Sequence, residues 1–247
     1  MIQVITFDLD DTLWDVRPAL MKAERAQNTW LQAHYPQAMS ALDTHALNQR
    51  KKALIQQQPE LIHHISRFRQ VFLEHLLLDS GVAPAEAKEA ALQAFAEFIA
   101  RRNDVALFEH SLPVLRALQQ HYVLAALTNG NADVTKTPLA RFFSFALKAE
   151  DVGAAKPEPD LFWAAMTRAG VSAEQMIHVG DSHEHDIIGA QAAGLRSIWL
   201  SHDPQPSPVA THTIQCLSEL PGVINRLAQR RRCCKRSRTR VARRSAK

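Results

Sequence analysis

Short apolar runs that end abruptly in polar clusters constrain this chain more than any other feature. Ile2-Gln3-Val4-Ile5-Thr6-Phe7 runs into Asp8-Leu9-Asp10-Asp11-Thr12, and Tyr122-Val123-Leu124-Ala125-Ala126-Leu127 runs into Thr128-Asn129-Gly130. Met176-Ile177-His178-Val179 leads to Gly180-Asp181, Arg196-Ser197-Ile198-Trp199-Leu200 follows, and Phe145-Ala146-Leu147 is a shorter candidate. Runs of this length, rich in β-branched residues and bounded by polar turn formers, read as buried strands. Helical signals separate the later ones: Ser111 and Pro113 open a helix through Leu118, and Ser172 with Gln175 fits a capping box. Strands alternating with helices predict an α/β fold, a parallel sheet with helices on both faces.

Between the first two strands the pattern is different. Leu61, Ile65, Phe68, Phe72 and Leu76 recur at helical spacing, as do Ala87, Ala91, Phe95 and Ile99. Pro59, Gly81 and Pro84 punctuate the stretch into about four helices. The expected division is a core of residues 1–15 and 106–228, an all-helical insertion of 16–105, and a tail of 229–247. A chain of 247 residues with 46% hydrophobic content can bury one good core plus such an insertion.

The net charge of +4 belongs to the tail. Residues 229–247 hold ten of the 29 Lys and Arg and no acid, leaving 19 bases against 25 acids and a body of about −6. The tail lacks apolar residues to pack and is expected to be disordered. It could touch nucleic acid nonspecifically, but has no aromatic residue on which a base would stack. No apolar run approaches the ~18 residues of a membrane span, and no basic region followed by an apolar stretch follows Met1. Cys216, Cys233 and Cys234 have no metal or disulfide spacing, so a cytoplasmic protein is expected.

The clusters carry the chemistry. In an open parallel sheet, ligands bind outside the carboxyl ends of the strands, where neighbours ~4.8 Å apart bring several side chains onto one small anion. Asp8 could attack phosphorus as a nucleophile, and Asp10 could protonate the leaving alkoxide and later deprotonate water. For that, burial or neighbouring carboxylates would have to retain a proton on Asp10. Asp181 and Asp186 with Asp8 would make an oxygen-rich site suited to Mg²⁺. Thr128 and Asn129 offer neutral donors to phosphoryl oxygens, and Lys156, in Lys156-Pro157, a fixed positive charge. Taken singly, these are a turn, a helix cap and a loop lysine; what is specific is the set, in this order.

The four clusters resemble the motifs of the haloacid dehalogenase superfamily of phosphatases: Phe7-Asp8-Leu9-Asp10-Asp11-Thr12-Leu13, Leu127-Thr128-Asn129-Gly130, Lys156-Pro157, and Gly180-Asp181 with Asp186. The resemblance implies a Rossmann-like catalytic core with a helical cap at 16–105 that closes over the site. It implies Asp8 as nucleophile, Asp10 as acid/base, and Thr128, Asn129 and Lys156 as phosphate-holding residues. It also implies Mg²⁺ held by Asp8, the main-chain carbonyl of Asp10, Asp181, and Asp186 directly or through water. Dehalogenases that attack carbon lack the second Asp, present here as Asp10. Asp11-Thr12-Leu13-Trp14-Asp15-Val16-Arg17-Pro18, Pro59-Glu60-Leu61 and Arg67-Phe68-Arg69 look like the branch acting on flavin mononucleotide and 5-amino-6-(5-phospho-D-ribitylamino)uracil. The expected partner is a small phosphorylated metabolite, with a broad sugar-phosphate or nucleotide phosphatase as the alternative. A tail-mediated nucleic-acid-binding module is the non-enzyme alternative. Oligomeric state is not legible. Arg67 and Arg69 stand as solvated residues or as substrate contacts, and Trp14 as packing or as a base-stacking surface.

Overall fold

The computed structural model of the chain describes residues 1–39, 44–201 and 207–228. The basic tail and its expected disorder lie outside the described residues.

Six parallel strands form the sheet: β1 (Val4–Phe7), β4 (Val123–Thr128), β5 (Phe145–Lys148), β6 (Met176–Gly180), β7 (Arg196–Leu200) and β8 (His212–Ile214). Their order is β5-β4-β1-β6-β7-β8, which puts the first strand between β4 and β6. The two-residue period of a strand sends alternate side chains to opposite faces. Ile5 and Phe7 join Leu124, Ala126, Ile177 and Val179 beneath α6 (Ser111–Leu118) and a final helix over 220–228. Val4, Leu127 and Met176 meet Leu161, Phe162, Ala165 and Ala190 of α8 (Asp160–Ala169) and α9 (Gly189–Ala192) on the other face, with the short α7 (Ala149–Val152) preceding α8. β8 has only three residues, too short to stand out from a loop in the sequence.

The chain leaves this core at β2 (Trp14–Asp15) and returns at β3 (Ala106–Leu107), and the two pair antiparallel. Between them lie α1 (Val16–His34), α2 (Pro36–Met39), α3 (Thr44–Gln57), a 3₁₀ turn (Pro59–His63), α4 (Ile65–Asp79) and α5 (Pro84–Arg102). Asp15 caps α1 by accepting from the Arg17 N–H, and Pro84 occupies the first turn of α5, where no amide donor is needed. Alanines Ala87, Ala90, Ala91 and Ala94 let α5 approach Leu31 of α1 and Leu73, Leu76 and Leu77 of α4. The fully buried stripe of α5 runs Ala87, Ala91, Ala94, Phe98, Arg102; on the strict four-residue line Phe95 and Ile99 are half-buried, with Phe95 packed against the same cluster. With 3.6 residues per turn, a line of fixed fours drifts around the helix, and packing follows the mixed three-and-four line.

Candidate active site

Asp8 directly follows β1 and continues its ladder, its N–H donating to the Val179 carbonyl at 2.9 Å. Alternation puts it on the face of Val4 and Thr6, toward α8. The chain then turns sharply. Leu13 N–H donates to the Leu9 carbonyl at 2.9 Å and Asp11 N–H to the Trp14 carbonyl at 2.8 Å, while Asp11 itself adopts a left-handed φ of 58°. Aspartate tolerates that region better than bulkier residues, and its side chain accepts from the Val16 N–H at 3.1 Å. This turn separates Asp10 from Asp8, which an extended backbone would have kept on one face.

Lys156 lies at the centre, 2% exposed. Its Nζ donates to Asp8 Oδ1 at 2.7 Å, to Asp186 Oδ1 at 2.6 Å and to the Leu127 carbonyl at 2.9 Å, which uses all three protons. Burial pulls the lysine pKa down, but the Asp186 and Asp8 charges outweigh it and hold the ammonium above its usual range. Burial drives the Asp8 carboxyl well above the usual range, against the pull of Lys156. At Asp186, burial acts upward too, yet Lys156 and His178 prevail and the carboxyl stays well below it.

The loop after β6 supplies the remaining acids. Asp186 Oδ2 accepts from the Ser182 N–H at 2.9 Å, and its Oδ1 lies 3.1 Å from His178 Nε2. A carboxylate only accepts, so His178 carries its proton on Nε2 and takes the Thr6 hydroxyl on Nδ1 at 2.9 Å; burial depresses the His178 pKa, consistent with a neutral ring. Gly180 is required here, because a Cβ would collide with the Asp186 carboxyl. Asp181 accepts from the Thr12 hydroxyl at 3.1 Å, and burial and the Asp186 charge push its carboxyl up to about 6. A cavity of about 470 Å³ lined by Asp11, Arg17, His110 and Asp181 reaches this side of the cluster.

One carboxylate oxygen from each of Asp8, Asp181 and Asp186 lies within 4.8 Å of the others. The ammonium of Lys156 meets two of the three carboxylates, and Asp8 and Asp181 resist ionisation. An all-oxygen set with surplus negative charge is what a hard divalent cation requires.

Thr128 is buried, and its Oγ accepts from the Gly130 N–H at 3.0 Å, leaving the hydroxyl proton free to be directed elsewhere. The Asn129 side chain binds the lysine loop. Its Nδ2 donates to the Lys156 carbonyl and its Oδ1 accepts from the Lys156 N–H, both at 2.8 Å, so its amide clamps the lysine loop.

The Asp10 carboxyl meets a donor on each oxygen. Trp14 Nε1 donates to Oδ1 at 2.7 Å, and Arg102 Nη2 donates to Oδ2. Trp14 is fully buried, so it cannot stack on a substrate base. Arg102 was missed in the sequence because a cation in a helix's last turn ordinarily faces solvent and the helix dipole; its place on the alanine stripe was the available signal. Arg67 is exposed. Arg69 stacks 3.7 Å over the Phe98 ring and lines, with Glu24, Gln27 and Phe68, a cavity of about 300 Å³ inside the helical insert. His183 pairs with Ser207 and packs edge-on to Trp199, and His185 lies against Ser182, so neither joins the carboxylate cluster.

A first strand that ends in a carboxylate, met by a lysine and two acids from other loops beneath a helical insert, defines a hydrolase of the haloacid dehalogenase type. The chain belongs to the haloacid dehalogenase-like hydrolase family, whose family model matches residues 2–194. It is similar to the 5-amino-6-(5-phospho-D-ribitylamino)uracil phosphatase YigB of Escherichia coli (strain K12), at 32% identity over 199 residues, 81% of this chain and 83% of that one. A phosphoserine phosphatase from Thermus thermophilus is 34% identical over 151 residues, 57% of this chain and 59% of that one. Among solved structures, a 2-haloacid dehalogenase from Pseudomonas syringae pv. Tomato DC3000 matches with a TM-score of 0.86 at 40% identity, over 92% of this chain and 100% of that one. Among the described residues, no helix is long and apolar enough to cross a membrane.

Proposed function

We propose that this chain is a phosphomonoesterase that carries the phosphoryl group on Asp8. The observation that supports this most is the buried Lys156, held between Asp8 and Asp186 at 2.7 and 2.6 Å at the end of the central strand. Its class is that of a phosphatase within the haloacid dehalogenase-like family. Residues 1–15 and 106–228 form the catalytic core in this reading, and 16–105 the cap.

Asp8 attacks phosphorus, so that an Oδ–P bond forms as the bond to the leaving oxygen breaks. Asp10 gives that oxygen its proton, and the alcohol departs. Asp10 then takes a proton from water, whose oxygen attacks phosphorus. The Oδ–P bond breaks and phosphate leaves. The Thr128 hydroxyl and Lys156 Nζ hold the phosphoryl oxygens. Since Lys156 has no spare proton, the incoming phosphate must take over its contact with Asp8. Asn129 keeps the lysine in register through the main chain. Asp8, Asp181, the Asp10 carbonyl, and Asp186 directly or through water would hold Mg²⁺. When bound, it neutralises the charge that would otherwise keep a carboxylate from a phosphate.

The substrate we propose is 5-amino-6-(5-phospho-D-ribitylamino)uracil, flavin mononucleotide, or both, in riboflavin metabolism. The 32% identity to YigB across most of both chains and the Trp14-Asp15-Val16-Arg17-Pro18 segment support it. We place the enzyme in the cytoplasm, where a free thiol such as Cys216 stays reduced. The 40% identical structure named as a 2-haloacid dehalogenase favours a second reading, carbon–halogen cleavage. Asp10 counts against it, because displacement of halide needs no proton donor. Phosphate and halide release from a panel of sugar phosphates, nucleotides, the two flavin-pathway phosphates and 2-haloacids decides between them. The expected result is phosphate release, fastest from the flavin-pathway compounds. Equal turnover of unrelated sugar phosphates would overturn the substrate, and halide release without phosphate release would overturn the reaction.

A further inference from the structure

Arg102 is the last residue of α5 and is 2% exposed, although it belongs to the helical insert rather than to the strand ends. Its Nη2 donates to Asp10 Oδ2 and its Nε to Asn131 Oδ1 at 3.2 Å, while Nη1 is buried with no partner among the described residues. On the other side of the same carboxyl, Trp14 Nε1 holds Oδ1 at 2.7 Å. Gly130 closes the third side: a Cβ there would stand 2.6 Å from Asp10 Oδ2 and 3.1 Å from Arg102 Nη2. The Asp10 carboxyl is therefore fixed in position by an indole, a guanidinium and a backbone.

A structural residue at this end of the Ala87-Ala91-Ala94-Phe98 stripe needs only an apolar side chain. Burying a guanidinium with one nitrogen unpaired is an expensive way to fill the position, and replacing a buried ion pair with apolar groups of similar volume is often neutral. What the charge adds is a fixed cation against Asp10.

We propose that Arg102 is a positioning residue for the acid–base step. It holds the Asp10 carboxyl in the orientation from which the proton passes to the leaving oxygen. Through it the last turn of α5 reaches the carboxyl beyond the first strand. This rests on the reading of Asp10 as the acid and base.

The test compares two leaving groups. p-Nitrophenolate departs with little need of a proton, whereas an alkoxide requires one. The alkyl substrate is flavin mononucleotide or, if the wild-type enzyme does not hydrolyse it, glucose 6-phosphate. Arg102→Met is expected to lower kcat/KM, which ends with departure of the leaving group and excludes the shared water step, by about 10²-fold on the alkyl phosphate and by less than about fivefold on p-nitrophenyl phosphate. Arg102→Lys, which keeps the charge without the planar fork, should fall between wild type and Arg102→Met in that ratio, and it carries the test if Arg102→Met does not fold. Equal losses on both substrates, or no loss on either, would overturn the proposal, because they describe a packing role or none. Asp10→Asn separates the two readings. If it lacks the leaving-group difference, the acid–base assignment itself fails. If it shows the difference and the Arg102 variants do not, only Arg102 is wrongly assigned.

Discussion

The strand ends and the helical insert hold their charges in opposite ways. At the strand ends, Lys156, Asp8 and Asp186 have side chains between 1% and 11% exposed and lie within 2.7 Å of their partners. In the insert and its edge, Arg50–Asp79 and Lys22–Asp104 are ion pairs with side chains between 43% and 60% exposed. Exposed pairs gain little over water and contribute about 0–1 kcal/mol. Buried ones are costly to desolvate and strongly destabilising to break. In this molecule the fold tolerates that cost at the candidate site. Arg102 belongs to the insert yet is buried like the strand-end charges, and the carboxylate it touches is Asp10.

Removing the central cation should break this contrast most severely. Lys156→Met leaves Asp8 and Asp186 facing each other in a buried site; we expect a loss of about 3–5 kcal/mol in denaturant unfolding and of at least about 10²-fold in phosphate release. Wild-type stability in this variant would mean that the site is more hydrated than its burial implies. Gly180→Ala comes next. The added methyl collides with the Asp186 side chain, and overpacking of this sort should cost about 1–3 kcal/mol, with lower turnover because Asp186 anchors Lys156.

A smaller effect follows from the acids. The Asp181 carboxyl, pushed up to about 6, is protonated below that pH and ionised above it. A cation there must displace that proton and any proton held on Asp8, so Mg²⁺ affinity should fall by about tenfold per unit or more below about pH 6. Calorimetric titrations across that range check it, and an affinity unchanged at pH 5 would remove Asp181 from the ligand set. The smallest effect is expected from Arg50→Ala, at most about 0.5 kcal/mol. A loss of several kcal/mol from so exposed a pair would dissolve the contrast.

What the sequence revealed follows the same division. The meeting of Asp8 and Asp181 was legible because strand-end placement follows from short apolar runs and a parallel sheet brings those ends together; Lys156, in a loop beyond β5 and a short helix, stood out only as one member of the ordered set of four clusters. The clamp of Asn129 on Lys156 was not, since two residues 27 apart meet only through loop geometry. Arg102 was hidden by composition: an Arg at the end of a helix reads as solvated, and only the alanine stripe beneath it says otherwise. Fixed four-residue steps on α5 missed that stripe at Phe95 and Ile99, and with it the residue that ends it.

The most direct test of the account is to trap the phosphorylated protein. Wild-type protein with Mg²⁺ and p-nitrophenyl phosphate, quenched in acid during turnover and digested, should carry a phosphoryl group on the peptide containing Asp8; Asp8→Asn should carry none and release no phosphate. Turnover retained in Asp8→Asn, or phosphoryl found on any other residue, would contradict the assignment of Asp8 as the nucleophile.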